Sequence, residues 1–173
     1  MKKVILYIAT SADGFIADVN GGVDWLPQPQ DDQDLDLCGY HALMNRIDTI
    51  VMGSKSYKQI VTFGPWAWQN KHTYVFSSED LKPVDSSIEI THETPRIFMN
   101  RIQSCSPEKD IWLLGGAKLA QSFAHENLID EIIVTIVPQV LKTGIPLGLT
   151  FEYFTLQSEK PLMDGMIQKT YIK

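Results

Sequence analysis

Two adjacent glycines, Gly115 and Gly116, have the setting best suited to chemistry in this chain. They separate an apolar run, Ile111-Trp112-Leu113-Leu114, from a helix-like pattern that opens with Ala117-Lys118-Leu119. A buried strand that ends on two residues without side chains leaves bare backbone at the mouth of a sheet. The helix that follows brings its unpaired N–H groups and the positive end of its dipole to the same space. Phosphate groups are held in this way, so a dinucleotide is the first ligand class to consider. Two further segments share the character: Gly53-Ser54-Lys55-Ser56 after the apolar run 48–52, and Ser77-Ser78 after 72–76. They add hydroxyls, small residues and, at Lys55, a cation. In open α/β sheets ligands bind at the carboxyl ends of the strands. The patterns G-x-G-x-x-G and G-x-x-x-x-G-K-[ST] are both absent, so a nucleotide here is held by another geometry.

Other chemistries find less support. The four histidines, His41, His72, His92 and His125, lack ligand spacing, so no metal site is expected. Cys38 and Cys105 form no C-x-x-C pair and read as reduced, largely buried thiols of a cytoplasmic protein. No G-x-S-x-G nucleophile setting occurs. A net charge of −6 supplies no basic stripe for nucleic acid. No apolar run approaches a membrane span. The N-terminal run 4–10, followed by Ser11-Ala12-Asp13-Gly14, reads as a first strand rather than a signal peptide.

Elements must carry these residues to one place. Strands are predicted over 4–10, 48–53, 72–77, 88–91, 110–114 and 130–138, with a closing antiparallel pair over 151–156 and 163–172. Asp164-Gly165 is a turn signal in that region. The spacing predicts one amphipathic helix from the acidic cluster Asp31, Asp32, Asp34 and Asp36 to Ile47, with the acids where the dipole favours them. Helices follow at 54–60, at 95–102 with Thr94 as cap, and from Ala117 to about 126. The segment 18–29, with two glycines and two prolines, is a long loop of the functional kind. Strands alternate with helices to about 126 and strands alone follow. The expected fold is therefore α/β, with a mostly parallel central sheet and antiparallel C-terminal strands, in one domain over 1–173. Left as an exposed edge, the strand 132–137 would be a liability.

Several stretches together resemble the dihydrofolate reductase-like fold family, and within it the RibD C-terminal branch of riboflavin biosynthesis and its small single-domain bacterial members. They are Ile8-Ala9-Thr10-Ser11-Ala12-Asp13-Gly14-Phe15-Ile16-Ala17, Trp25-Leu26, 48–57, Leu113 to Leu119, and 130–138. The resemblance implies a three-layer fold and an NADPH-dependent reductase, with NADH not excluded. It implies that Ala9 and Ile16 flank the nicotinamide. Gly53, Ser54, Lys55 and Ser56, joined by Ser77 and Ser78, would take the adenosine phosphates. Gly115, Gly116, Ala117, Lys118 and Leu119 would cover the pyrophosphate, with a cis peptide between the two glycines. Many relatives place Arg where this chain has Ser54, and Lys55 next door is the candidate reader of a 2′-phosphate.

For the catalytic groups, the resemblance points to Asp36 as a substrate anchor or proton relay on the first helix, with Asp32 one turn earlier. It points to Asp13 near the nicotinamide edge, where a plain turn role is the competing reading. Trp25 either packs the first loop over the substrate or anchors that loop in the core. Trp66 and Trp68 either line the pocket or form a partner-facing apolar patch. The implied activity is hydride transfer to a small heterocyclic or ribosylamino substrate, as in reduction of a phosphoribosylamino-pyrimidine. The alternatives are dihydrofolate reduction and a nucleotide-binding module without turnover. A homodimer paired through the sheets is expected.

Overall fold

The computed structural model describes residues 2–103 and 109–173, so Cys105 lies outside the described residues. Among the described residues ten strands and five α-helices follow one another: β1 (Val4–Ser11), β2 (Phe15–Ala17), α1 (Asp32–Leu37), α2 (Tyr40–Arg46), β3 (Ile47–Gly53), α3 (Ser54–Ile60), β4 (His72–Phe76), β5 (Ile88–Thr91), α4 (Pro95–Gln103), β6 (Asp110–Gly115), α5 (Ala117–His125), β7 (Glu131–Val137), β8 (Ile145–Pro146), β9 (Thr155–Pro161) and β10 (Ile167–Ile172). Eight of the strands form one sheet in the order β5-β4-β3-β6-β1-β7-β10-β9. The first six are parallel, β10 runs antiparallel to β7, and β9 runs antiparallel to β10. The mostly parallel α/β architecture expected from the sequence is the one observed.

The near-continuous apolar runs of the inner strands exist because both sheet faces are covered. Period-two alternation divides them. Val4, Leu6, Ile111, Leu113, Ile132 and Val134 pack with Phe98 of α4 and Phe123 of α5. Ile5, Ile50, Met52 and Trp112 face the other way, with Leu43 of α2 and Tyr57 of α3. Three layers result. Trp66 is buried in the second of these cores and Trp68 packs half-buried against it, so the pair forms no exposed apolar patch. Tyr57, Trp66, Trp68, Trp112 and Tyr7 make a chain of edge-to-face contacts, with centroid separations of 6.0, 5.1, 5.4 and 6.0 Å.

At the amino-terminal end of the sheet, polar groups tie the strands together. Lys2 Nζ lies 2.6 Å from Asp48, and Arg46 bridges Glu131 at 2.7 Å and Asp110 at 3.3 Å. The Val4 N–H donates to Asp130 at 2.8 Å.

Two expectations need correction. The single helix over 31–47 is two helices, because Gly39 takes a φ of 77° between them, a conformation that ends one helix and is cheap for glycine. The closing pair is β9 and β10, not 151–156 and 163–172, and a 3-10 turn, Met163–Gly165, lies in the connection. All of β9 is exposed, so it carries no apolar alternation by which to be found. The strand 132–137 is no edge: β7 sits between β1 and β10. The edges are β5 and β9, and Glu159, Lys160 and Pro161 on β9 discourage further pairing. The short pair β2–β8 was not foreseen. No helix among the described residues is long and apolar enough to cross a membrane.

Phe98 is fully buried, with Tyr74 and Phe76 at centroid distances of 4.9 and 5.1 Å. Phe98→Ala is expected to lower unfolding free energy by about 3–5 kcal/mol in urea titration. A loss below about 1 kcal/mol would mean that α4 is not anchored through this ring.

Candidate active site

The strand ends singled out in the sequence meet in space. On neighbouring strands Met52 is registered with Gly115, and Gly53 with Phe76. A Cβ built on Gly53 would come within 3.9 Å of the Gly115 carbonyl and of the Gly116 nitrogen, and 4.0 Å of Leu119 Cβ. One built on Gly116 would lie 3.3 Å from Ser56 Oγ. Gly53, Ser56, Gly115, Gly116 and Leu119 are thus mutual neighbours. Helix α3 starts from Gly53 and α5 from Gly116, and neither cap supplies a side-chain acceptor to the first turn. Two helix starts with uncapped N–H donors stand beside a stretch of backbone with no side chains, which is the chemistry that dinucleotide phosphates require. The Gly115–Gly116 peptide is cis. Ser54 is half-buried, Ala117 is buried, and Lys55 and Lys118 are exposed.

Ser77 continues β4 at the same edge, its N–H donating to the Thr91 carbonyl at 3.1 Å. Its hydroxyl is held within the local turn, accepting from the Glu79 N–H and donating to the Glu79 carbonyl, both at 2.9 Å. Ser78 beside it is exposed.

Next to this cradle a cleft of about 330 Å³ opens at the ends of β1 and β7. Ile8, Ala9 and Val137 form part of its floor, the loop 26–30 and Asp34 one wall, and Met163 and Met166 another. Ile8 connects the two regions: it lines the cleft, and its Cδ1 lies 3.6 Å from a Cβ built on Gly115. Ile16 is half-buried and packs on the first core. Beneath the cleft, the Cys38 carbonyl at the break between α1 and α2 accepts from Tyr7 Oη at 3.0 Å and from Gln168 Nε2 at 2.8 Å. Gln168 Nε2 also donates to Thr135 Oγ1 at 3.0 Å. Burial, with smaller effects from Cys38 and Tyr40, pushes the Tyr7 phenol well above its ordinary value, so it stays a donor.

The carboxylates are distributed differently from the expectation. Asp36 is 67% exposed, lies 2.6 Å from His41 Nδ1 and does not line the cleft. Asp34 does. Residues two positions apart on a helix point about 200° apart, so Asp34 and Asp36 stand on opposite faces of α1. Asp13 joins two loops. It accepts from Ser11 Oγ at 2.7 Å and from the N–H groups of Leu141 and Lys142 at 3.1 and 2.7 Å. Trp25 is half-buried with its indole N–H enclosed and unpartnered among the described residues. Leu26, not Trp25, lines the cleft. Tyr7, Thr135, Gln168 and Met166 carry no local motif. Only the pairing of β1, β7 and β10 brings them together.

A family model described as RibD C-terminal domain matches residues 99–144, which include the Gly115–Gly116 elbow. The uncharacterized protein YwjB of Bacillus subtilis (strain 168) is 35% identical over 147 residues, covering 84% of this chain and 82% of that protein. YyaP of the same organism, also uncharacterized, is 30% identical over 185 residues, covering 98% and 94%. Among solved structures, a protein of Shewanella sp. PV-4 assigned by name to riboflavin biosynthesis superposes with a TM-score of 0.82 at 27% identity, over 98% of both chains. A diaminohydroxyphosphoribosylaminopyrimidine deaminase/5-amino-6-(5-phosphoribosylamino)uracil reductase of Thermotoga maritima gives 0.72 at 14% identity. That match covers 99% of this chain and 56% of the Thermotoga chain, and it is a likeness of fold.

The bond from Ser11, with those from the Leu141 and Lys142 N–H groups, holds the Asp13 carboxyl below its ordinary value. A carboxyl lowered on folding stabilises the protein above its unfolded-state pKa and loses that contribution as pH falls through the folded one. Melting temperature of Asp13→Asn against the parent is therefore expected to show a deficit at neutral pH that closes in acid. A deficit independent of pH would remove the carboxylate from this role.

Proposed function

The chain belongs to the RibD C-terminal domain family, and on that footing we propose that it is an NADPH-dependent reductase of a small heterocyclic or ribosylamino substrate. One observation carries the reading. Two uncapped helix starts beside side-chain-free backbone share Ile8 with an apolar cleft at the carboxyl edge of the same sheet.

When bound, the reduced nicotinamide supplies the hydride; the protein supplies position and a dry site. The backbone of Gly115, Gly116 and Ala117, with Lys118 and Leu119 in the same turn, would cover the pyrophosphate. Gly53, Ser54 and Ser56 would hold the adenosine phosphates, with the Ser77-Ser78 turn at their edge. Lys55 would meet a 2′-phosphate as a point charge. Ala9 and Ile16 would flank the nicotinamide. Ile8, Val137 and Met166 give the cleft apolar walls, against which a bound nicotinamide and substrate would shed water. Asp34, on α1, is a carboxylate in the cleft wall and would serve in place of Asp36 as the group for a substrate N–H. Exposed Tyr153, Leu156 and Ile172, grouped where β9 starts and β10 ends, would meet a second copy through side chains rather than by adding a strand to β9, and the free thiol of Cys38 suits the cytoplasm.

Titration with NADPH and NADH, followed by tryptophan fluorescence, tests the reading. NADPH is expected to bind the more tightly. Lys55→Ala should weaken NADPH by about tenfold and leave NADH nearly unchanged. Gly116→Val, which places carbon against Ser56 Oγ, should weaken both while circular dichroism stays native. Absence of binding by either coenzyme to the parent protein would end the reductase reading. Equal weakening of both by Lys55→Ala would remove Lys55 as the 2′-phosphate reader.

A further inference from the structure

We propose that the cleft selects unphosphorylated substrates: a neutral or cationic nitrogen heterocycle is admitted, and one bearing a phosphate monoester is refused. The inference rests on the reductase reading only for taking the cleft as the substrate site.

The lining gives the first argument. Among the described residues no Lys, Arg or His lines the cleft, and its carboxylates are Asp34 and Asp164. A phosphate monoester carries nearly two negative charges at neutral pH and needs cations or aligned N–H donors to leave water. Three basic side chains on or against the neighbouring segment 36–46 have partners of their own. His41 lies against Asp36 at 2.6 Å, and Lys160 donates to the Leu37 carbonyl at 3.1 Å. Arg46 lines an adjoining cavity of about 210 Å³, where it holds Glu131 and Asp110.

The donors give the second argument. The Gln30 N–H donates to Asp34 Oδ2 at 2.7 Å, and the Asp34 N–H donates to Asp31 Oδ1 at 3.0 Å. The start of α1 is thus closed by the chain's own carboxylates. Gln30 Nε2 donates to the Gln28 carbonyl at 2.9 Å, and Tyr7 Oη to the Cys38 carbonyl. An incoming phosphate would have to displace an oxygen from each of these donors. The starts of α3 and α5 have no side-chain acceptor in place. Phosphate recognition is therefore confined to the cradle, and the cleft is left for a group without one.

Calorimetric titration with three matched pairs tests this: uridine, inosine and riboflavin, each against its own 5′-monophosphate. Each titration is run with and without NADP⁺, whose phosphates compete for the cradle. At least one parent is expected to bind about tenfold or more tightly than its phosphate, with the gap narrowing in Asp34→Asn and at high salt. A phosphate that binds as tightly as its parent in the presence of NADP⁺ would overturn the proposal. So would failure of all three parents to bind, or a gap that Asp34→Asn and salt leave untouched. NADP⁺ titration alone reports on the reductase reading, which can fail while the preference between pair members stands.

Discussion

The close approach of β3 to β6 at their carboxyl ends is the constraint on which the rest of the site depends. Gly53 lies near the Gly115 carbonyl and the Gly116 nitrogen, and two helices start from this point of contact. A side chain at Gly116 would crowd Ser56 Oγ, and one at Gly53 would stand over the peptide that begins α5. The absence of side chains leaves helix N–H donors reachable from outside the sheet. Since β6 also pairs with β1, the same junction fixes where Ile8 stands between cradle and cleft.

The cleft depends on a second, polar constraint. Splitting the α1–α2 segment at Gly39 turns the Cys38 carbonyl toward the sheet, where Tyr7 of β1 and Gln168 of β10 both donate to it. A helix running through this point would have consumed that carbonyl in its own ladder. The break therefore sets α1 against the cleft with Asp34 on its wall, and Thr135 joins through Gln168. These groups are buried or half-buried and satisfied, so the floor beneath the substrate position is rigid where the loop 26–30 above it is exposed or half-buried.

The parallel strands were legible because burial on both faces writes a continuous apolar run into 4–10, 48–53 and 110–114. The cradle was legible because glycine and serine at strand ends have few other uses. The acids Asp31, Asp32, Asp34 and Asp36 give no sign of which face of α1 meets the cleft, but the break within 31–47 did leave a mark. Gly39 was the available signal, since a lone glycine within a helical pattern can mark a cap. Asp13 looked chemical in sequence because its partners, the Leu141 and Lys142 N–H groups, are more than a hundred residues away. The tryptophans at 66 and 68 were ambiguous for the same reason: a core built from five aromatic rings on distant segments leaves no local period. The edge strand β9 was misplaced because exposure on both faces removes the alternation by which strands are found.

The ionic ties described for the sheet, Lys2 with Asp48 and Arg46 with Asp110 and Glu131, all lie at the pole opposite the cradle. The molecule thus ties its strands by charge at one pole and carries helix starts without side-chain caps at the other. Its two tasks, holding shape and greeting a ligand, draw on separate sets of atoms. Drift in the residues of one pole therefore leaves the other free to change, and a scaffold divided in this way can acquire new clients without renegotiating its own architecture.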